Sequence, residues 1–153
     1  MNSNRQSGKI NILALASIAI VGMIAASLVF AKEDPASVGV QFMDALSKQN
    51  VDKLTELSYI DKTDPASVEE EKKRLREQWD FCVNKAGKHY MFLWNVTGAT
   101  TTSTGQASVV VMMNKGGPNG YDEKYQLPME KANDKWKVDV RSMSKTMFPA
   151  LPQ

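Results

Sequence analysis

One histidine and one cysteine are present in the 153-residue chain, and their isolation limits the chemistry it can perform. His89 stands between Lys88 and Tyr90, with no second histidine to share a metal or relay a proton. Cys82 lies at helical spacing from Trp79 and Ala86 and reads as a small packed hydrophobe rather than a nucleophile. It also has no second cysteine for an intrachain disulfide. Met91, Met112, Met113, Met129, Met143 and Met147 carry thioethers, the donors that suit copper(I). They are scattered rather than grouped, so gap filling is the expected role. The run Gly116-Gly117-Pro118-Asn119-Gly120 lacks the Lys-Ser/Thr and the following helix of a phosphate loop. No nucleophile elbow, zinc spacing or haem-attachment motif occurs. The expectation is no catalytic residue, no cofactor and no metal.

The elements that would position these residues are punctuated clearly. Asp34-Pro35 opens a helix, with a capping side chain followed by proline at the first helical position. Val38, Phe42, Ala45 and Leu46 form its apolar stripe. Asn50 caps a short second helix carrying Val51, Leu54 and Leu57. Asp64-Pro65 opens a third, expected to reach Ala86 with Gly87 at its C-terminal cap. Val68, Leu75, Trp79, Cys82 and Ala86 form its buried stripe, and Glu69–Lys73 and Glu70–Arg74 are spaced for ion pairs. Beyond Gly87 the apolar period shortens to two. Strands are predicted over residues 89–97, 106–114, 124–131 and 135–141, with Asn133-Asp134 as the last tight turn. Pro128 marks an edge or a bulge. Helices followed by antiparallel strands predict an α+β domain, about three helices on a curved sheet of about four strands.

The patterns Val38-Gly39-Val40-Gln41-Phe42-Met43-Asp44-Ala45-Leu46, Asn50-Val51-Asp52-Lys53-Leu54 and Lys135-Trp136-Lys137-Val138-Asp139 resemble the nuclear transport factor two-like superfamily. Its members are cone-shaped α+β domains, and bacterial ones of unknown function join such a domain to an N-terminal hydrophobic segment. The resemblance covers about residues 34–141. It implies acid and base groups inside the cone in the enzymatic members, with Asp44, Tyr59, Asp80, His89 and Tyr90 as the candidates here. The same superfamily includes transport factors and pure interaction modules, so the resemblance does not select a function. Tyr90, Phe92, Trp94 and Trp136 are the expected lining of the cone.

Ile10 to Phe30 is a run of 21 residues without a charge, about 31 Å long as a helix and close to the thickness of a bilayer core. Arg5 and Lys9 precede it, and cationic flanks stay cytoplasmic. The expected organisation is a cytoplasmic stub (1–9), a transmembrane helix or uncleaved signal anchor (10–31), an extracytoplasmic domain (32–141) and an irregular tail (142–153). A cleaved signal peptide is the rival reading, with Val29 and Ala31 before a cut at Lys32. Ala14, Ile18, Gly22 and Ala26 form a row on which another membrane helix would pack. From Lys32 onward 17 basic residues balance 17 acidic ones, which argues against nucleic acid as a partner.

In the tail, Met143, Met147, Phe148 and Leu151 would either fold back over a sheet edge or dock on a partner. Two classes of function follow. The first is a non-catalytic accessory or scaffolding subunit of a larger inner-membrane complex. Its partners would be integral membrane proteins and the lipid bilayer, and its domain would be periplasmic or extracellular. The second is a periplasmic or secreted domain that binds a small ligand, or an enzyme with a cone pocket.

Overall fold

Asp34 caps the first helix as its spacing foretells: its carboxylate accepts from the Ser37 amide at 2.8 Å, and Pro35 begins the helical turn. Asn50 and Asp64 cap the next two in the same way, through the amides of Lys53 and Ser67. The computed structural model describes residues 34–102, 104–116 and 120–153. They form α1 (Pro35–Ser47), α2 (Val51–Leu57), α3 (Pro65–Asp80), β1 (Phe92–Thr101), β2 (Gln106–Lys115), β3 (Tyr121–Ala132) and β4 (Lys135–Val138). The strands make one antiparallel sheet in the order β1-β2-β3-β4.

Alternation along the strands gives the sheet one helix-facing side. Ala107, Val109, Val111 and Met113 of β2 and Tyr125, Leu127 and Met129 of β3 are buried there, while the residues between them are not. α1 packs directly on this face: a Cβ on Gly39 would sit 2.7 Å from a methyl of Val109, so only glycine allows the approach. Phe42 meets Trp79 of α3 edge to face at 5.8 Å, and both are fully buried. The Trp79 indole N–H donates to Ser58 Oγ at 3.0 Å, satisfying the one polar atom that this ring brings into the core.

Several expectations are corrected. The expected fold class included a membrane-spanning helix, yet among the described residues no helix is long and apolar enough to cross a membrane. The stretch 10–31 to which it was assigned lies outside the described residues, as do Ala14, Ile18, Gly22 and Ala26. The architecture is three helices on a four-stranded sheet. The long helix does not run regularly to Ala86; its last six residues, Phe81–Ala86, widen into a π-helical turn that leaves Ala86 exposed.

β1 begins at Phe92 rather than at residue 89, because the Tyr90 amide closes a turn onto Gly87 O at 2.9 Å. It continues through Gly98 to Thr101, a stretch that reads as a loop, because β2 supplies a pairing partner throughout, with a bulge between Val96 and Gly98. β3 begins at Tyr121, opposite Lys115. β4 stops at Val138, and Val140–Ser142 form a 3₁₀ turn. Arg74 pairs with Glu71 at 2.6 Å and not with Glu70, and Glu69 pairs with Lys72.

Candidate functional site

Phe92, Lys115 and Tyr121 share one row across the sheet, and Trp94, Met113 and Glu123 share the next. Alternation puts all of these on the helix-facing side, at the end where β1 and β3 start. Tyr90 and Phe92 lie 5.9 Å apart here, with Trp94 one step along the strand. Trp136 lies opposite Lys131, ten residues further along β3 than Tyr121, or about 33 Å of strand. The aromatic residues expected to line one cone are therefore not brought together: Tyr90, Phe92 and Trp94 gather at one end, and Trp136 lies at the other.

The gathered end is closed by the chain itself. Phe148 stands edge to face against Tyr90 at 5.0 Å and against Phe92 at 5.9 Å. Gly87 makes room for the ring, since a Cβ there would collide with it. Met143, Met147, Phe148 and Leu151 are all buried in the domain core. The tail is held further by Cys82, whose Sγ–H donates to Pro149 O at 3.2 Å. Arg141, at the root of the tail, reaches Glu71 of α3, which also accepts from Arg74. The hydrogen bonds from Arg74, with the charge of Arg141 beside them, hold the Glu71 carboxyl below its ordinary pKa.

A polar cluster lies beside the aromatic residues. Lys115 Nζ donates to Glu123 Oε2 at 2.6 Å, to the carbonyl of Thr146 at 2.7 Å and to the Tyr125 hydroxyl. The Tyr125 hydroxyl in turn donates to Glu123. Burial alone would lower the Lys115 pKa, but its bonds to Glu123 and Tyr125 outweigh burial and raise it. The Lys115 and Tyr125 hydrogen bonds lower Glu123, and the Glu123 hydrogen bond raises Tyr121. Glu123 and Lys115 are thus driven apart, each held in its charged form, and Tyr121 is held in its neutral one. A general acid or base needs the reverse, a pKa drawn toward working pH. The cluster instead staples the tail carbonyl to β2 and β3. No single-sequence signal announces it, since Lys115, Glu123 and Thr146 come together only through register and the returning tail.

The remaining sequence candidates lie elsewhere. His89 is exposed. Asp44 pairs with Lys48 at 2.9 Å, and Asp80 accepts from Asn84 at 2.8 Å, both on the surface. Tyr59 follows the parallel bridge between Ser58 and Val138, and burial with the nearby charges of Asp61, Glu130 and Asp139 raises its hydroxyl pKa. Burial pushes the Cys82 thiol up to about 12, which leaves it without nucleophilic character near neutrality. Among the described residues, no group of three His, Cys, Asp or Glu is placed to hold a metal. A groove of about 580 Å³ runs along the surface between β3 and the tail, lined by Lys124, Gln126, Pro128, Ser142, Ser144 and Thr146 among others.

No family model and no curated protein matches the chain. Among solved structures it is similar to a SEC-C motif containing protein from Rhodopseudomonas palustris, at 16% identity and a TM-score of 0.46. That match covers 91% of this chain and 95% of the other. A likeness so slight carries no argument about function.

Proposed function

We propose that the chain is a non-catalytic accessory subunit of a membrane protein complex, its α+β domain acting as an interaction module on the extracytoplasmic side. One observation carries the non-catalytic reading. The end of the sheet where aromatic and titratable side chains converge is stoppered by Phe148, and its charged groups are consumed by bonds to one another and to Thr146. The uncharged run Ile10–Phe30, with Arg5 and Lys9 before it, supports attachment to the inner membrane in that orientation. The balanced charge of the rest supports protein partners over nucleic acid. The resemblance to the nuclear transport factor two-like superfamily, which includes interaction modules, is compatible with this role.

The test is purification of the full chain from native membranes in mild detergent, through a tag placed after the exposed Gln153. The proposal expects a fixed-ratio set of integral membrane proteins, and a lower ratio for Gly22→Leu or Ala26→Leu. A chain recovered alone and free of the membrane would overturn it.

A second reading, a small-ligand domain, is favoured by the half-buried Tyr90, Phe92 and Trp94 standing beside Lys115. It requires the tail to give way. Native mass spectrometry of the purified chain would then show a bound small molecule that Phe148→Ala alters.

A further inference from the structure

We infer that β1 is a self-pairing edge, through which two copies of this chain join their sheets antiparallel about Trp94. This goes beyond the proposed function, since a subunit can occupy a complex as one copy or as two.

Among the described residues, β1 is an outer strand with no neighbour beyond it in the sheet. The register shows which of its peptide groups are free. Asp139 N donates to Pro128 O at 2.8 Å, so the even-numbered residues of β3 turn their peptide groups toward β4 and the odd-numbered ones toward β2. Carried across β2, this directs Asn114 and Met112 to their β1 partners Leu93 and Asn95. Phe92, Trp94 and Val96 are left pointing N–H and C=O to the open side.

Natural edge strands are blunted by charge, proline or cover. β1 has neither charge nor proline, and among the described residues no strand pairs beyond it. No charged residue occurs anywhere from Tyr90 to Asn114, and Met91 and Leu93 are 85% and 71% exposed. The bulge after Val96 confines flat pairing to the first half of the strand.

The lack of charge selects the occupant. A like-on-like pair sets each residue against its own kind or a near neighbour, and any charge at the centre of β1 would face its double. Here two copies meet without that penalty, whereas a partner recognised by charge finds nothing to hold. Centring on Trp94 aligns all three free residues: Phe92 opposite Val96 of the second copy, Trp94 opposite Trp94, and Val96 opposite Phe92. Aromatic residues against β-branched ones are favoured cross-strand pairs. On the outer face, Leu93 of each copy then stands opposite Asn95 of the other, about 4.5 Å apart between Cα atoms, within reach of a disulfide.

The test uses the full chain in detergent micelles. Sedimentation should report a dimer, and Leu93→Lys should raise its dissociation constant at least tenfold while leaving the thermal midpoint in place at dilutions where both proteins are monomeric. Full chains carrying Leu93→Cys and Asn95→Cys should form a disulfide when mixed and oxidised. Each alone should not, because like positions across the axis are too far apart to bridge. The wild-type chain, with buried Cys82, is the blank. A monomeric wild type, a dimer indifferent to Leu93→Lys, or cross-linking of Leu93→Cys to itself would each overturn the inference.

Discussion

Along one side of the sheet, β1 runs ten residues with no charge and no proline, and among the described residues no segment pairs beyond it; along the other, β3 and β4 have charge, proline and a bridging segment. β4 pairs with Met129 to Ala132, Ser58 bridges Val138, and the Tyr59 amide donates to Val138 O at 2.8 Å. Ahead of that, Ser142, Ser144 and Thr146 of the tail lie along the groove beside β3. Asp122, Glu123, Lys124, Glu130, Lys131, Lys135 and Lys137 place charge throughout this half, and Pro128 interrupts its donors. One half of the sheet is therefore protected against further pairing by ordinary means, and the other is not. Within a single sheet, the difference separates the side that completes the fold from the side left free to meet another chain.

Breaking the covered side should have the largest effect. Phe148→Ala removes a fully buried ring from between Tyr90 and Phe92, at an expected cost of about 3–5 kcal/mol in chemical denaturation. Gly87→Ala should cost about 1–3 kcal/mol in the same measurement, because the new methyl meets the Phe148 ring and the Cys82 carbonyl. If Gly87→Ala loses its effect in the Phe148→Ala background, the ring is the source of the strain.

The staple between Lys115 and Glu123 sharpens the comparison through pH. Glu123 is lowered from 4.5, so its contribution is whole above that value and fades as pH falls through the folded pKa. Lys115 is raised from 10.5, so its contribution is whole below that value and fades as pH rises through the folded pKa. The thermal midpoint should therefore decline on both sides of that window. Glu123→Gln should flatten the acid limb, which a scan of midpoint against pH would show. On the uncovered side, Leu93→Lys should change stability by no more than about 0.5 kcal/mol, since the side chain touches little in one copy. Equal destabilisation by Leu93→Lys and Phe148→Ala would erase the distinction between the two sides.

Local punctuation made the helices legible in the sequence: the Asp-Pro starts and the Asn50 cap each act within three residues, and the caps form where they are read. The strands were less legible because pairing overrides propensity. Gly98, Ala99, Thr100 and Thr101 read as a loop by composition, and β2 holds them as strand through Val110, Val109, Ser108 and Ala107. The π-helical turn at Phe81–Ala86 has no signature of its own. The polar cluster was invisible for a different reason. Lys115 and Thr146 are 31 positions apart and meet because the tail returns, and a tail with two prolines reads equally well as a loose end. The burial of Met143, Met147, Phe148 and Leu151 is a property of the folded packing, whereas their composition would be the same in a segment bound to another protein.

The placement of Phe148 also sets an order of events in biosynthesis. Residues 143–151 leave the ribosome after every strand of the sheet, so the core has no stopper while the chain is still growing. During that interval β1, which carries no charge, and β2, whose one charge is Lys115 at its end, are open on a face that the finished protein hides. The nascent domain thus passes through a period in which this face is exposed, and the closing of Phe148 over Gly87 marks the end of that period.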